Sequence, residues 1–256
     1  MITEIAHPGP AQITALRSLG KEAFGDDDAF LDRFFSTGFH PQRCLCALCA
    51  EDPLTAIYWF DCTLRGEKAA YLYALATRQH AQGRGIARQL LHRVHDLLKA
   101  RGYAAALLVP GSRQLAGWYQ REGYEYQGSV REFSCIASPQ AAPLRPVTAA
   151  EYGALRNQYL PAGSVVQGRE ALEFLETQAK LYAGDNYLLA VQHTLWDTVV
   201  VPEYLGDPQS APGVLAALGH PKASFRTPGS GEALVMFRPL TEMPIQPPTY
   251  FAFPFD

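Results

Sequence analysis

The stretch Tyr71-Leu72-Tyr73-Ala74-Leu75-Ala76, followed by Thr77-Arg78-Gln79-His80-Ala81 and then Gln82-Gly83-Arg84-Gly85-Ile86-Ala87, decides the fold. Its first part lies in a nearly unbroken apolar run from Ala69 to Ala76. Such a run reads as a central strand covered on both faces. The polar, Gly-rich turn then opens a helix predicted from about Gly85 to Arg101. Ile86, Leu90, Val94, Leu97 and Leu98 recur at helical spacing and form one apolar face; Gly102 is a natural stop. A helix start presents unpaired N–H groups and the positive end of the helix dipole. Glycines let an anion come close to them. The physics therefore points to a ligand containing phosphate, without naming it.

Working outward, a short strand at Ile2–Ala6 and helices at about Ala11–Phe24 and Asp26–Phe39 are expected before the stretch. The acidic start of the second helix suits a helix N-terminus. Strands are expected at Cys44–Ala50 and Leu54–Leu64. After the long helix come a buried strand at Ala104–Val109, a helix at Arg113–Arg121 and one or two strands over Tyr124–Ile136. The Pro-containing link Ala137–Pro143 reads as a domain boundary, giving domains at residues 1–138 and 139–256. The second half opens like the first, with a strand at Leu144–Val147 and a helix at Ala149–Tyr159. A helix at Glu170–Tyr182, strands at Tyr187–Val191 and Trp196–Val201, a helix at Gly213–Leu218 and a strand at Ala233–Arg238 follow. Tyr182, Tyr187, Trp196 and Tyr204 read chiefly as core. The aromatic tail ending in Phe255 and Asp256 reads as docked on the fold.

The 256 residues can bury a substantial core, and 48% hydrophobic with 18% charged residues is ordinary globular composition. A formal net charge of −3 without a Lys/Arg tract gives no reason to expect nucleic acid or an anionic membrane as partner. No apolar run approaches a membrane span, and Met1–Glu4 has no signal-peptide character, so a cytoplasmic location is expected. The five cysteines fit a reducing compartment. Strand alternation puts Cys44 and Cys46 on one face and Cys49 on the other, so no metal site is expected.

Three nucleotide patterns can be set against the turn. No GxxxxGK[ST] string occurs. The GxGxxG pattern fails at Arg88, where the third small residue belongs, and the turn follows several strands rather than the first of a βαβ unit. The pattern [QR]xxGx[GA] is matched in full by Gln82–Ala87. A second pattern lies at the expected distance: Tyr119-Gln120-Arg121-Glu122-Gly123-Tyr124, a tyrosine followed after three residues by Gly-aromatic.

With both patterns inside this order of strands and helices, residues 1–136 resemble the GNAT N-acetyltransferase superfamily. The resemblance implies an α/β (α+β) fold with a mixed central sheet flanked by helices, and acetyl-CoA as co-substrate with no metal. The whole chain resembles two-domain bacterial members whose second, smaller α/β half is a degenerate GNAT-like domain. Main-chain amides of Gln82, Gly83, Arg84, Gly85, Ile86 and Ala87 would cradle the pyrophosphate, with Arg84 and Arg88 as possible side-chain contacts. Leu75, Ala76 and Thr77 would pair with the pantetheine arm, and an N–H near Leu75 or Ala76 would face the oxyanion. Ser112 replaces the Asn that the family uses on that arm. Tyr119 would protonate the departing thiolate, although it could also be a packed ring beside Trp118. His80, next to the turn, reads chiefly as a loop residue with a base as the alternative, and His92 and His95 read as exposed helix residues. No base is evident: Asp61, Glu67 and the C-terminal carboxylate with Asp256 are the candidates. The acceptor would be a small-molecule or peptide amine. An acetyl-CoA sensor without catalysis, and a nucleotide-dependent oxidoreductase, are the alternatives.

Overall fold

The computed structural model describes residues 4–193, 198–242 and 245–252. By packing, the chain divides into two compact units, Met1–Leu108 with Arg238–Ile245, and Val109–Phe237 with Gln246–Asp256. The link at Ala137–Pro143 falls inside the second unit.

In the first unit, β1 (Glu4–Ala6), β2 (Cys44–Cys49), β3 (Asp52–Leu64), β4 (Glu67–Thr77) and β5 (Ala105–Leu108) form a sheet in that order. All neighbours are antiparallel except β4 and β5, which are parallel. The crossover between them is α3 (Ile86–Ala100). Ile86, Leu90, Val94 and Leu98 are buried as the spacing predicts, Leu91 joins them and Leu97 is only half-buried; Ile86 packs with Ala47, Leu54 and Ala81. Gly102, at φ +77°, ends it, with the Gly102 and Tyr103 N–H groups closing on Lys99 and Leu98 carbonyls. His95, expected on the exposed side, is buried instead.

The helices before β2 are α1 (Ile13–Phe24) and α2 (Asp28–Arg33). The single helix expected over Asp26–Phe39 is broken. Gly25 at φ +74° turns the chain out of α1, Asp26 stays in the connection, and Asp27 is the N-cap of α2, accepting from the Phe30 N–H at 2.6 Å. After Arg33 the helix widens into a π-turn over Phe34–Gly38. There the Phe39 N–H donates to the Phe34 carbonyl at 2.8 Å. Phe34 rests on Tyr58. Tyr58 pairs with Cys44 and so shares the sheet face of Cys44 and Cys46, opposite Ala47. The two thiols lie 3.8 Å apart on that face.

The second unit carries α4 (Arg113–Arg121), β6 (Glu125–Ile136), β7 (Arg145–Pro146), α5 (Ala149–Tyr159), β8 (Val165–Gln167), α6 (Arg169–Gln178), β9 (Lys180–Ala183), β10 (Tyr187–His193), β11 (Val199–Gly206), α7 (Ala211–Leu218), β12 (Lys222–Pro228) and β13 (Glu232–Pro239). Its sheet runs β13-β6-β12-β11-β10-β9-β7. The path β7, α5, α6, β9, β10, β11, α7, β12 repeats the path β1, α1, α2, β2, β3, β4, α3, β5. In both, the last strand pair is the parallel one. β8 and β12 are absent from the sequence expectation. β9 occupies what reads as the end of the helix Glu170–Tyr182. Trp196 lies outside the described residues. Tyr187 and Tyr204 are buried with Phe225, and Tyr182 packs against the same cluster. Tyr250 and Ala252 are buried among α5, α6 and β10 residues, which docks that part of the tail.

Candidate active site

The first unit holds the turn and the strand end that feeds it. β3 and β4 pair Thr55 with Thr77 and Ala56 with Ala76, but Tyr58 with Tyr73. Ala74 and Leu75 therefore oppose the single residue Ile57, and Ala74 sits at φ +51°. A β-branched or bulky side chain would be strained there, whereas Ala is tolerated. This bulge turns main-chain groups out of the ladder. On its other edge β4 pairs with β5 only from Ala69 to Tyr71. The strands part beyond that point, and the edge of Leu75, Ala76 and Thr77 has no strand partner there among the described residues. An extended polar ligand can add to such an edge by backbone hydrogen bonds.

The turn is prepared for an anion. Gly83 and Gly85 both adopt positive φ, +73° and +74°, and a Cβ added at either meets nothing within 4 Å. The first N–H returned to the helix is that of Gln89, which donates to the Gly85 carbonyl. Among the described residues, those of Gly83, Arg84, Gly85, Ile86 and Ala87 donate to no backbone group outside the helix, which leaves them for a ligand. Gln82 behaves differently from the sequence expectation. Its N–H is taken by the Gln79 carbonyl at 3.3 Å, and its side-chain amide donates to the Thr77 carbonyl at 3.2 Å. It braces the turn rather than adding a donor. Arg84 and Arg88 are exposed at the helix start.

The approach to the turn is nailed to α1. The guanidinium of Arg78 is buried and donates to Glu22 Oε2 at 2.8 Å, Ser18 Oγ at 3.1 Å and the Ala15 carbonyl at 2.9 Å. Glu22 Oε1 accepts the Gln79 N–H at 2.6 Å. That bond and the Arg78 charge hold the Glu22 carboxyl below its usual range. Nothing in the motif pattern signals Arg78; only the fold brings it onto α1.

Ser112 and Tyr119 stand on α4, in the second unit. Ser112 is the N-cap, its hydroxyl oxygen accepting the Leu115 N–H at 3.2 Å. Tyr119 is buried between Trp118 and Tyr124, with ring centroids 4.8 and 5.6 Å away. Its hydroxyl makes no side-chain hydrogen bond among the described residues. Burial pushes that phenol well above its ordinary pKa, which keeps it protonated near neutrality.

Two of the base candidates are displaced by strand register. Asp61 pairs opposite Ala70, and Glu67 opens β4 opposite Leu64. At about 3.3 Å per residue these positions lie about 20 and 30 Å along the strand from Ala76. Asp61 is engaged there by Arg43 at 3.3 Å and by the Tyr103 hydroxyl. The C-terminal carboxylate and Asp256 lie outside the described residues. Among the described residues no group of three or more His, Cys, Asp or Glu could hold a metal ion, and no helix is long and apolar enough to cross a membrane.

Comparison with known proteins adds the family. The model of the acetyltransferase (GNAT) domain matches residues 4–127. A GCN5-related N-acetyltransferase from Anabaena variabilis superposes with a TM-score of 0.73 at 14% identity, over 93% of this chain and 73% of that one. One from Kribbella flavida gives 0.68 at 15%, over 93% and 72%. One from Sphaerobacter thermophilus gives 0.56 at 12%, over 97% and 98%. At such identities these structures speak for the fold alone. No curated protein matches the sequence. The family is thus placed on residues 4–127, a little under half of the chain, which match the GNAT acetyltransferase domain.

Proposed function

We propose that the protein moves an acetyl group from acetyl-CoA to an amine by direct attack. The observation that carries this reading is the pair formed by an open Gly83–Ala87 donor cradle and the bulged, unpaired end of β4. The cradle takes the pyrophosphate, the strand end takes the pantetheine arm, and an N–H freed by the bulge faces the oxygen that gains charge. The neutral amine nitrogen forms a bond to the acetyl carbon, the C–S bond breaks, the thiolate takes a proton from Tyr119, and the proton shed by the nitrogen returns through solvent to restore the Tyr119 phenol. Tyr119 carries its proton near neutrality, as a phenol does, and can give it to the departing thiolate. The 1–138 segment is the catalytic domain in this reading, and 139–256 is a degenerate copy.

The distance of Asp61 and Glu67 from Ala76 favours one rival, an acetyl-CoA sensor without turnover. Titration calorimetry with acetyl-CoA, followed by thiol release with a panel of amines, separates the two. Transfer gives both heat and amine-dependent thiol; a sensor gives heat alone. Gly85→Val places a branched side chain at φ +74° in the cradle and is expected to abolish the heat. Tyr119→Phe is expected to lower kcat about 100-fold while leaving acetyl-CoA affinity unchanged. Wild-type heat with Gly85→Val would overturn the cradle assignment.

A further inference from the structure

Within the first unit, β4 opens to solvent at its bulge. The strand is buried from Ala69 to Leu72. Tyr73, Ala74 and Leu75 then each keep accessible surface, and Ala76 is buried again. The large side chain at this opening is Tyr73. It pairs across the strands with Tyr58 and directly precedes the bulge residue Ala74.

Three rings hold Tyr73 in place. Tyr71, two residues back on the same face of the strand, has its centroid 6.2 Å away. Phe60 of β3 lies at 5.6 Å and Phe34 at 5.7 Å. The π-turn carries the row outward from there, with Phe35 5.3 Å and Phe39 6.5 Å from Phe34. Both keep part of their surface exposed. The Arg17 guanidinium, paired with Asp32 and Asp28, lies 5.8 Å from the Phe35 centroid and marks the polar end of the row. At the other end, Tyr73 is an apolar platform already ordered by its neighbours, so a ligand that rests on it pays little to fix it.

In the acetyl-transfer reading the acetyl carbon lies against the bulge, and the attacking nitrogen must reach it there. Consecutive Cα atoms are about 3.8 Å apart, which makes Tyr73 the ring beside the group that carries this nitrogen. A ring face favours apolar or aromatic surface. It offers little to a polyol, whose hydroxyls would lose water and find no hydrogen-bond partner on the ring. Resting on that reading, we infer that Tyr73 is the platform for the acceptor's carbon body, and that the acceptor is an amine carried on an apolar, preferably aromatic, group.

The test uses the full chain with 2-phenylethylamine and ethanolamine, which share an aminoethyl group and differ in a phenyl against a hydroxyl. Binding of each is measured by calorimetry on protein saturated with CoA, and thiol release from acetyl-CoA is followed in parallel. Wild type is expected to bind phenylethylamine at least about tenfold more tightly than ethanolamine. Tyr73→Phe should keep that preference and Tyr73→Leu should remove most of it, with heat on adding acetyl-CoA as the check that each variant is folded. Equal binding of the two amines by wild type, a preference for ethanolamine, or an undiminished preference in folded Tyr73→Leu each overturns the inference. So does faster thiol release from hexanoyl-CoA than from acetyl-CoA that Tyr73→Leu reverses, since the ring would then serve the donor's acyl chain. A Tyr73-dependent preference for phenylethylamine without any thiol release would retire the transfer reading and leave the aromatic site standing.

Discussion

The turn after β4 and the turn after β11 follow the same strand, helix, parallel-strand scheme, and they treat an approaching anion in opposite ways. After β4, Gly83 and Gly85 open the backbone, and among the described residues the N–H groups of residues 83–87 have no backbone acceptor outside the helix. After β11 the chain reads Asp207-Pro208-Gln209-Ser210-Ala211-Pro212. Pro208 and Pro212 have no N–H to give. The Gln209 N–H is taken by Asp207 Oδ1 at 2.9 Å, and the Ser210 N–H by the Asp207 carbonyl at 3.0 Å. The Asp207 carboxylate also occupies the place an anion would want. A repeated topology thus does not repeat the chemistry, which lives in a handful of residues at one loop.

The interiors differ as sharply. Where β4 presents Tyr71 and Tyr73 among rings, β11 presents Glu203, fully buried. It accepts from Arg156 Nε at 2.8 Å and Arg156 Nη2 at 2.9 Å, from Tyr152 at 2.7 Å and from Tyr250 at 3.0 Å. This network ties α5, β11 and the tail into one body. The largest effect should come from breaking it. Arg156→Met strands a buried carboxylate and is expected to cost about 3–5 kcal/mol, read as a lower urea midpoint by circular dichroism. Arg156→Met with Glu203→Leu should recover most of the loss, because no charge is left unpaired. If the double variant is no better than the single one, the network is not what braces this half.

The acid response of the two crossover helices should differ next. α7, Ala211–Leu218, carries no titratable side chain. α3 carries His95, buried, whose pKa falls from 6.5 to about 3, mainly by desolvation and then by the nearby charges of Arg238 and His92. A folded-state pKa below the unfolded one means that the unfolded chain binds the proton first. His95 therefore costs no stability above about pH 6.5, and the penalty grows as pH falls towards 3. At pH 5 the loss should be about 2 kcal/mol. His95→Leu should flatten that part of the stability profile, measured by urea unfolding at pH 7 and pH 5. An unchanged slope would mean that His95 is solvated.

Periodicity and glycine placement made the first unit legible. The α3 stripe, the Gly-rich turn and the apolar β4 run each carry their own signature. What stayed hidden depends on contacts that a linear reading cannot see. Asp26, Asp27 and Asp28 look alike as a helix start, yet Gly25 at positive φ makes Asp27 the cap and leaves Asp26 outside. His95 reads as polar, but helix geometry puts it beside Val94 and Leu98 on the buried side. β12 buries only Ala223, Phe225 and Thr227 between more exposed residues, too weak a pattern beside neighbouring Gly and Pro. Asp61 and Glu67 looked close to the site because they are close in sequence to β4; strand register, fixed by pairing, sends them to its far end.

The smallest effect concerns how each turn is held in place. After β11 the turn is self-contained, since Asp207 closes it with its own side chain and carbonyl. After β4 the turn is left open for its ligand, so its position must be set from outside, and Arg78 with Glu22 does this by tying its entry to α1. Arg78 is buried, but Glu22 keeps part of its carboxylate in water, so Arg78→Met should lower the urea midpoint only slightly. Its effect should fall on placement instead: KM for acetyl-CoA is expected to rise about fivefold with kcat close to wild type, the signature of weaker binding shared by ground and transition states. Arg78→Lys keeps the charge but not the three-way grip on Ser18, Glu22 and the Ala15 carbonyl, and should rescue only part of that change. A fall in kcat with unchanged KM would instead place Arg78 in the chemical step, and the contrast between a self-braced and an externally braced turn would fail.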